Sequence, residues 1–179
     1  MDTILDEIRT RFAVTWEHEQ RPDLLQVGVE PVTVVPLLTW LKAHTPYVQL
    51  THMSVVDWLE EGQFQLTYLL TDPEGFRSLM VVTRIDREEA TAESVWELWP
   101  QAVTYEQEIN EMFGIRFPGS PRQGVPFILE GWDDIPPMRR DFDTVEYMNA
   151  HHPSRPGREH TDPRTYVGKV VGEKGYLHD

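Results

Sequence analysis

The residues of this 179-residue chain whose types and spacing can do chemistry fall in two clusters. Glu106, Glu108 and Glu111 form the first; Arg139, Arg140 and Asp141 form the second. On a helix turning about 100° per residue, Glu106 and Glu108 stand about 200° apart and Glu108 and Glu111 about 60° apart. Only the second pair can share a face. Paired carboxylates that exchange protons must be buried and converge on a cleft, so a solvated face is the ordinary reading of these acids. Glu106 borders the apolar side and is expected to pair with Arg139 or Arg140. The arginines offer planar forks that fit carboxylate or phosphate. Pro136 and Pro137 stiffen the approach to them. No GxGxxG or GxxxxGKS/T loop accompanies them, which favours a salt-bridge clamp over a phosphate site.

The remaining reactive side chains form no convergent set. Of the seven histidines, His151, His152, His160 and His178 lie near the C-terminus, and there is no HExxH. With no cysteine in the chain, disulfides and thiolate ligation of zinc or of an iron–sulfur cluster are excluded. No GxSxG nucleophile elbow occurs. The tryptophans read as core and interface anchors; Trp132, between Gly131 and Asp133 in a loop, is the best placed for an interface. The formal charge is −14, and the five basic and six acidic residues of 143–179 nearly cancel, so the charge sits on the body. Such a body repels phosphate backbones and anionic lipid. No apolar run reaches the ~18 residues of a membrane span. The acidic N-terminus lacks the basic start of a signal peptide, so cytoplasmic residence is expected.

Stepwise periodicity supplies the elements that must hold these residues. Ile4, Leu5, Ile8 and Phe12 predict a helix over 2–12, and alternation predicts strands over 13–18 and 24–30. Pro36 predicts the start of a helix running to Thr45. Three strands over 48–59, 64–71 and 76–85, joined by short turns, predict an antiparallel meander. Residues 86–93 read as a loop, and Ser94 as the N-cap of a short helix containing Trp96, Leu98 and Trp99. Tyr105, Ile109, Met112 and Phe113 make the apolar stripe of a helix over 101–113, closed at Gly114. Beyond it, Pro118, Gly119, Pro121, Gly124 and Pro126 rule out further long helix.

The span from Glu106 to Phe142 resembles the signature of the 30 kDa-type (C-type) subunit of respiratory complex I. It is equally similar to the matching subunit of membrane-bound, energy-converting nickel–iron hydrogenases and formate hydrogenlyases. Glu106, Glu108, Glu111, Met112, Phe113, Gly114, Ile115, Phe117, Gly119 and Pro121 match that pattern, and Met138, Arg139, Arg140, Asp141 and Phe142 match its closing run. Gln107 stands where the family carries Arg, and Ser120 where it carries His. The resemblance implies a cofactor-free structural subunit of the soluble arm, NADH/quinone or hydrogenase type. Its partners would be the large catalytic subunit and a small iron–sulfur subunit, which hold the iron–sulfur clusters and the quinone or nickel–iron centre. A small acidic enzyme and a free-standing binding module are the readings from other classes.

Together these features predict an α+β fold, with a mixed or antiparallel sheet flanked by helices on one face. Residues 1–142 form the domain and 143–179 an extended, partner-binding tail. The expected interface residues are Glu106, Glu108, Glu111, Phe113, Gly114, Trp132, Arg139, Arg140 and Asp141, with Tyr147, Tyr166 and Tyr176 in the tail.

Overall fold

Five strands make one mixed sheet in the order β1-β2-β5-β4-β3: β1 (Val14–Arg21), β2 (Leu24–Val29), β3 (Gln49–Trp58), β4 (Gln63–Asp72) and β5 (Arg77–Asp86). The β3–β4–β5 meander is antiparallel as its short turns require. β1 and β2 form a hairpin, and β2 joins β5 in parallel, Val27 opposite Val81. A parallel neighbour demands a crossover. Here α2 (Pro31–His44), β3 and β4 supply it. The computed structural model describes residues 2–151, and the chain divides into two units, 1–142 and 143–179.

Alternation sorts each strand into a core face and an outer face. Leu25, Val27 and Val29 of β2, Leu79, Val81 and Ile85 of β5, and Phe64, Leu66, Tyr68 and Leu70 of β4 all point inward and are buried. They share one cluster with Leu5 and Ile8 of α1 (Asp2–Arg11), with Leu37, Leu38 and Leu41 of α2, and with Ala102 and Ile109 of α3 (Ala102–Phe113). On the outer face Trp16 lies over Gly28, where a Cβ would collide with the indole ring. Only glycine permits that approach.

Three expectations are corrected. α2 begins at Pro31, not Pro36. Pro31 takes the first helical position, the Thr33 amide donates to the Glu30 carbonyl, and Pro36 lies inside the helix on its exposed side. The stretch after Ser94 is a single turn, closed by the Leu98 and Trp99 amides on the Val95 carbonyl, with the Ser94 hydroxyl accepting from the Trp96 amide at 3.4 Å and donating to Glu106. In the second unit, residues Thr144–His151 are helical (α4), not extended. Asp143 accepts from the Val145 and Glu146 amides and so starts that helix. Tyr166 and Tyr176 lie outside the described residues.

Candidate functional site

α3 is the scaffold of the site. The turn before it and its own first turn seal the β3 edge of the sheet: Trp99 Nε1 donates to the Val48 carbonyl at 2.8 Å and Tyr105 Oη to the Thr51 carbonyl at 2.9 Å. Its end is set by Gly114, at φ 79°, whose amide donates to the Asn110 carbonyl. An L-residue there is strained, and its Cβ would meet Pro136 Cγ at 3.2 Å.

The acids of the helix play three different structural parts. Glu106 is buried, 1% exposed, and meets neither Arg139 nor Arg140. It accepts from the Ser94 hydroxyl at 2.7 Å and the Val95 amide at 2.8 Å, fastening the preceding turn to α3. Burial, aided by the nearby Glu106 charge, raises the Tyr68 hydroxyl well above its usual range. Glu108 is exposed. Glu111 is half-buried and receives three successive amides, those of Phe127 at 2.7 Å, Ile128 at 2.9 Å and Leu129 at 3.1 Å. Burial would push its carboxyl up, but these three donors outweigh burial and hold it below its usual value.

Gln107 lies one helical turn before Glu111 and continues the same row. Its Nε2 donates to the Val125 and Pro126 carbonyls at 3.2 and 2.8 Å, and its Oε1 accepts from Arg122 at 3.3 Å. An amide can both give and take in this way; an arginine can only give. Farther along, the Met138 amide donates to the Met112 carbonyl at 3.0 Å. The irregular loop 118–138 is therefore strapped along α3 by Gln107, Glu111 and Met112. Trp132 is half-buried rather than a free anchor: its Nε1 donates to the Asp134 and Ile135 carbonyls, and its ring meets Phe142 edge-on at 5.5 Å. Phe113 packs edge-on to Phe64 at 6.1 Å. A cleft of about 260 Å³ runs between loop and helix, lined by Asn110, Glu111, Val125, Leu129, Trp132 and Asp134 among others.

The closing run docks on one end of the sheet. Asp57, buried at the end of β3, takes a two-pronged bond from Arg87 at 2.8 and 3.1 Å and the Arg140 amide at 2.9 Å. Arg87 also donates to Asp141 at 2.7 Å. Arg139 reaches Asp141 at 3.4 Å and stacks its guanidinium over Phe64, 5.7 Å from the ring centre. Arg140 forks onto Glu60 at 2.6 and 2.8 Å in an exposed pair. Burial would raise the Asp57 carboxyl; the Arg87 fork and the Arg140 amide overcome this and hold it low. Asp57 in turn holds Arg87 above its usual value. The clamp thus closes within the chain. Its partners Asp57, Glu60 and Arg87 escaped the sequence reading because they lie up to 83 residues away and belong to no motif.

The described residues hold no group of three or more His, Asp or Glu side chains arranged to bind a metal. None of their helices is long and apolar enough to cross a membrane. Nor do Glu106, Glu108 and Glu111 converge: one is buried against an amide and a hydroxyl, one is exposed, and one is saturated by amides. What the site offers is a loop without regular structure, held along α3 by side-chain and backbone hydrogen bonds.

Residues 27–148 match the family model of the respiratory-chain NADH dehydrogenase 30 kDa subunit. The chain belongs to that family, the C-type subunits of complex I-like oxidoreductases. It is 30% identical over 151 residues to the C-type subunit of the NADH-quinone oxidoreductase of Moorella thermoacetica, covering 79% of this chain and 95% of that one. It is likewise 30% identical over 142 residues to the C/D 2 protein of the NADH-quinone oxidoreductase of Aquifex aeolicus, spanning 78% of this chain but 24% of that longer protein. Among solved structures, a chain of the membrane-bound sulfane sulfur reductase, an archaeal respiratory membrane complex, superposes with a TM-score of 0.72 at 27% identity. That match covers 84% of this chain and 90% of the other.

Proposed function

We propose that this chain is a cofactor-free structural subunit in the soluble arm of a complex I-like membrane oxidoreductase, on the cytoplasmic side. In that role it packs against the large catalytic subunit and steadies the neighbourhood of the iron–sulfur clusters and the quinone or nickel–iron centre. The observation that carries the reading is the strapped loop. Side-chain and backbone bonds from α3 fix a stretch of irregular chain whose own apolar residues stay exposed. A catalyst would need a convergent site, which the acids here do not make. The absence of cysteine agrees, since it removes thiolate ligands for clusters. Clusters and the quinone or nickel–iron centre then belong to the partners. The relatives in which C and D are one protein support association with a D-type, 49 kDa-like large subunit.

The tail belongs to the same proposal. Residues 143–179, with Tyr147, Tyr166 and Tyr176, lie against the partner in this reading, and their near-neutral charge lets them approach it without the repulsion the body would meet. Purifying the assembled complex through a tag on the full chain tests the role. The expected result is co-purification of a D-type large subunit and an iron–sulfur subunit, with no iron or flavin on the chain when it is isolated. A chain purified alone, or one carrying stoichiometric iron, overturns it. Truncation after Phe142 is expected to leave a folded body with weakened hold on the complex.

A further inference from the structure

We propose that residues 125–138 are the face on which the large subunit docks, and that the segment seated there presents apolar side chains around a lysine or arginine. The inference rests on the subunit role proposed above and names its surface and the chemistry of its partner.

Exposure selects the place. Val125, Ile128, Ile135 and Met138 are 49, 68, 42 and 58% exposed, four large apolar side chains within one short loop. Scattered surface hydrophobics are ordinary, whereas four on one segment of fourteen residues concentrate apolar surface as interaction sites do. The group is also fixed in advance. Gln107 holds the carbonyls of Val125 and Pro126, Glu111 holds the Ile128 amide, and Met112 holds that of Met138. A surface ordered before binding loses less conformational entropy on association than a floppy loop would.

Charge selects the partner. Between Gln123 and Met138 the chain carries Glu130, Asp133 and Asp134 and no basic residue. Asp134, Glu111 and the Trp132 ring line the 260 Å³ cleft beside the apolar group. The three acids of the segment, with Asp134 at the opening, suit a protruding cationic side chain, which gains Coulomb attraction. The cleft is open to solvent and has exposed Val125 in its lining, unlike the enclosed pockets that bury a small ligand. An acidic segment would meet like charge here.

The test uses the full tagged chain and the purified large subunit of the same complex, with affinity measured at low and physiological salt. Ile128→Asp and the charge reversal Glu130→Lys/Asp133→Lys alter exposed positions, and thermal melts check that each variant keeps the wild-type fold. Phe76→Asp serves as control: Phe76 is 84% exposed in the turn after β4, at the end of that strand opposite the clamp. Each loop variant is expected to bind roughly tenfold or more weakly, the control as wild type. The salt dependence of the charge-reversed variant is expected to be flattened. If the wild-type chain does not bind the large subunit, the subunit role itself fails and the docking face falls with it. If the wild type binds and both folded loop variants bind equally well, the docking face is wrong while the role stands.

Discussion

The single carboxylate of Asp57 accepts three hydrogen bonds from two residues. It sits at 5% exposure, and its oxygens accept two bonds from Arg87 and one from the Arg140 amide. Removing it would leave the Arg87 guanidinium, itself little exposed, without its main counter-charge. Breaking a buried pair from one side typically costs about 3–5 kcal/mol, most of it the stranded charge. Asp57→Ala is therefore expected to lower unfolding free energy by about 3 kcal/mol in urea titration. Arg140→Ala, which loses only the exposed fork to Glu60 and keeps its amide on Asp57, is expected to be far milder. Equal losses in the two variants would show that the exposed pair, not Asp57, carries the clamp. The sequence made Arg139, Arg140 and Asp141 legible as a clamp, because prolines stiffen their approach and no phosphate loop accompanies them. Their partners were not legible: bonds between residues 80 and 83 apart leave no local pattern. The expected partnership of Glu106 with an arginine failed for the related reason that a nearer hydroxyl and amide reach it first.

At the scale of elements, α3 works as a rail with two sides. The apolar stripe Tyr105, Ile109, Met112 and Phe113 was visible as helical periodicity, yet of these only Ile109 is fully buried. Tyr105 reaches the β3 edge at Thr51 and His52, Phe113 packs on Phe64, and Met112 borders the loop through its carbonyl. Gln107, Glu111 and Gly114 follow one another at i, i+4 and i+7 and so share the row that meets residues 125–136. Polar residues in a loop-facing row leave no hydrophobic signal, so the strap could not be read in advance. Glu111→Gln would keep the shape but exchange a carboxylate that accepts three amides for an amide group with one acceptor oxygen. Hydrogen exchange at the amides of Phe127, Ile128 and Leu129 is expected to speed up while exchange in β4 is unchanged. Unaltered protection of those three amides would mean that the prolines alone hold the loop. The displaced start of α2 has a similar lesson. Both Pro31 and Pro36 sit in an apolar run, and either can open a helix; the choice fell to Pro31 because Pro36 could be accommodated on the exposed side.

For the whole domain, the α+β class and the meander were legible from alternation and short turns, while the parallel union of β2 with β5 was not, since crossover partners are set by the tertiary fold. Among the carboxylates held low are three around the ends of the sheet and one on α3. Asp57 and Asp141 are held down by Arg87, Asp72 by the Gly75 amide with Arg77, and Glu111 by three loop amides, in each case against burial. Their folded values lie below those of the unfolded chain, about 3.9 for Asp and 4.3 for Glu. The unfolded state therefore binds more protons as pH drops through that window. The stabilisation is complete above about pH 5 and is lost as pH falls below about 4 and through the folded values. The formal charge of −14 acts in the opposite direction, because acid relieves self-repulsion. Exposed charges farther apart than a Debye length of about 8 Å are largely screened at physiological salt, whereas bonded and buried pairs are not. The local pairs are thus expected to dominate. Urea midpoints should be flat from about pH 8 to 5 and fall steeply below about 4, and the fall should be shallower for Asp57→Asn, which has no proton to gain there. A wild-type midpoint that rises on acidification, or an Asp57→Asn slope as steep as that of the wild type, would show that general repulsion rather than the clamp and strap governs the stability of the domain.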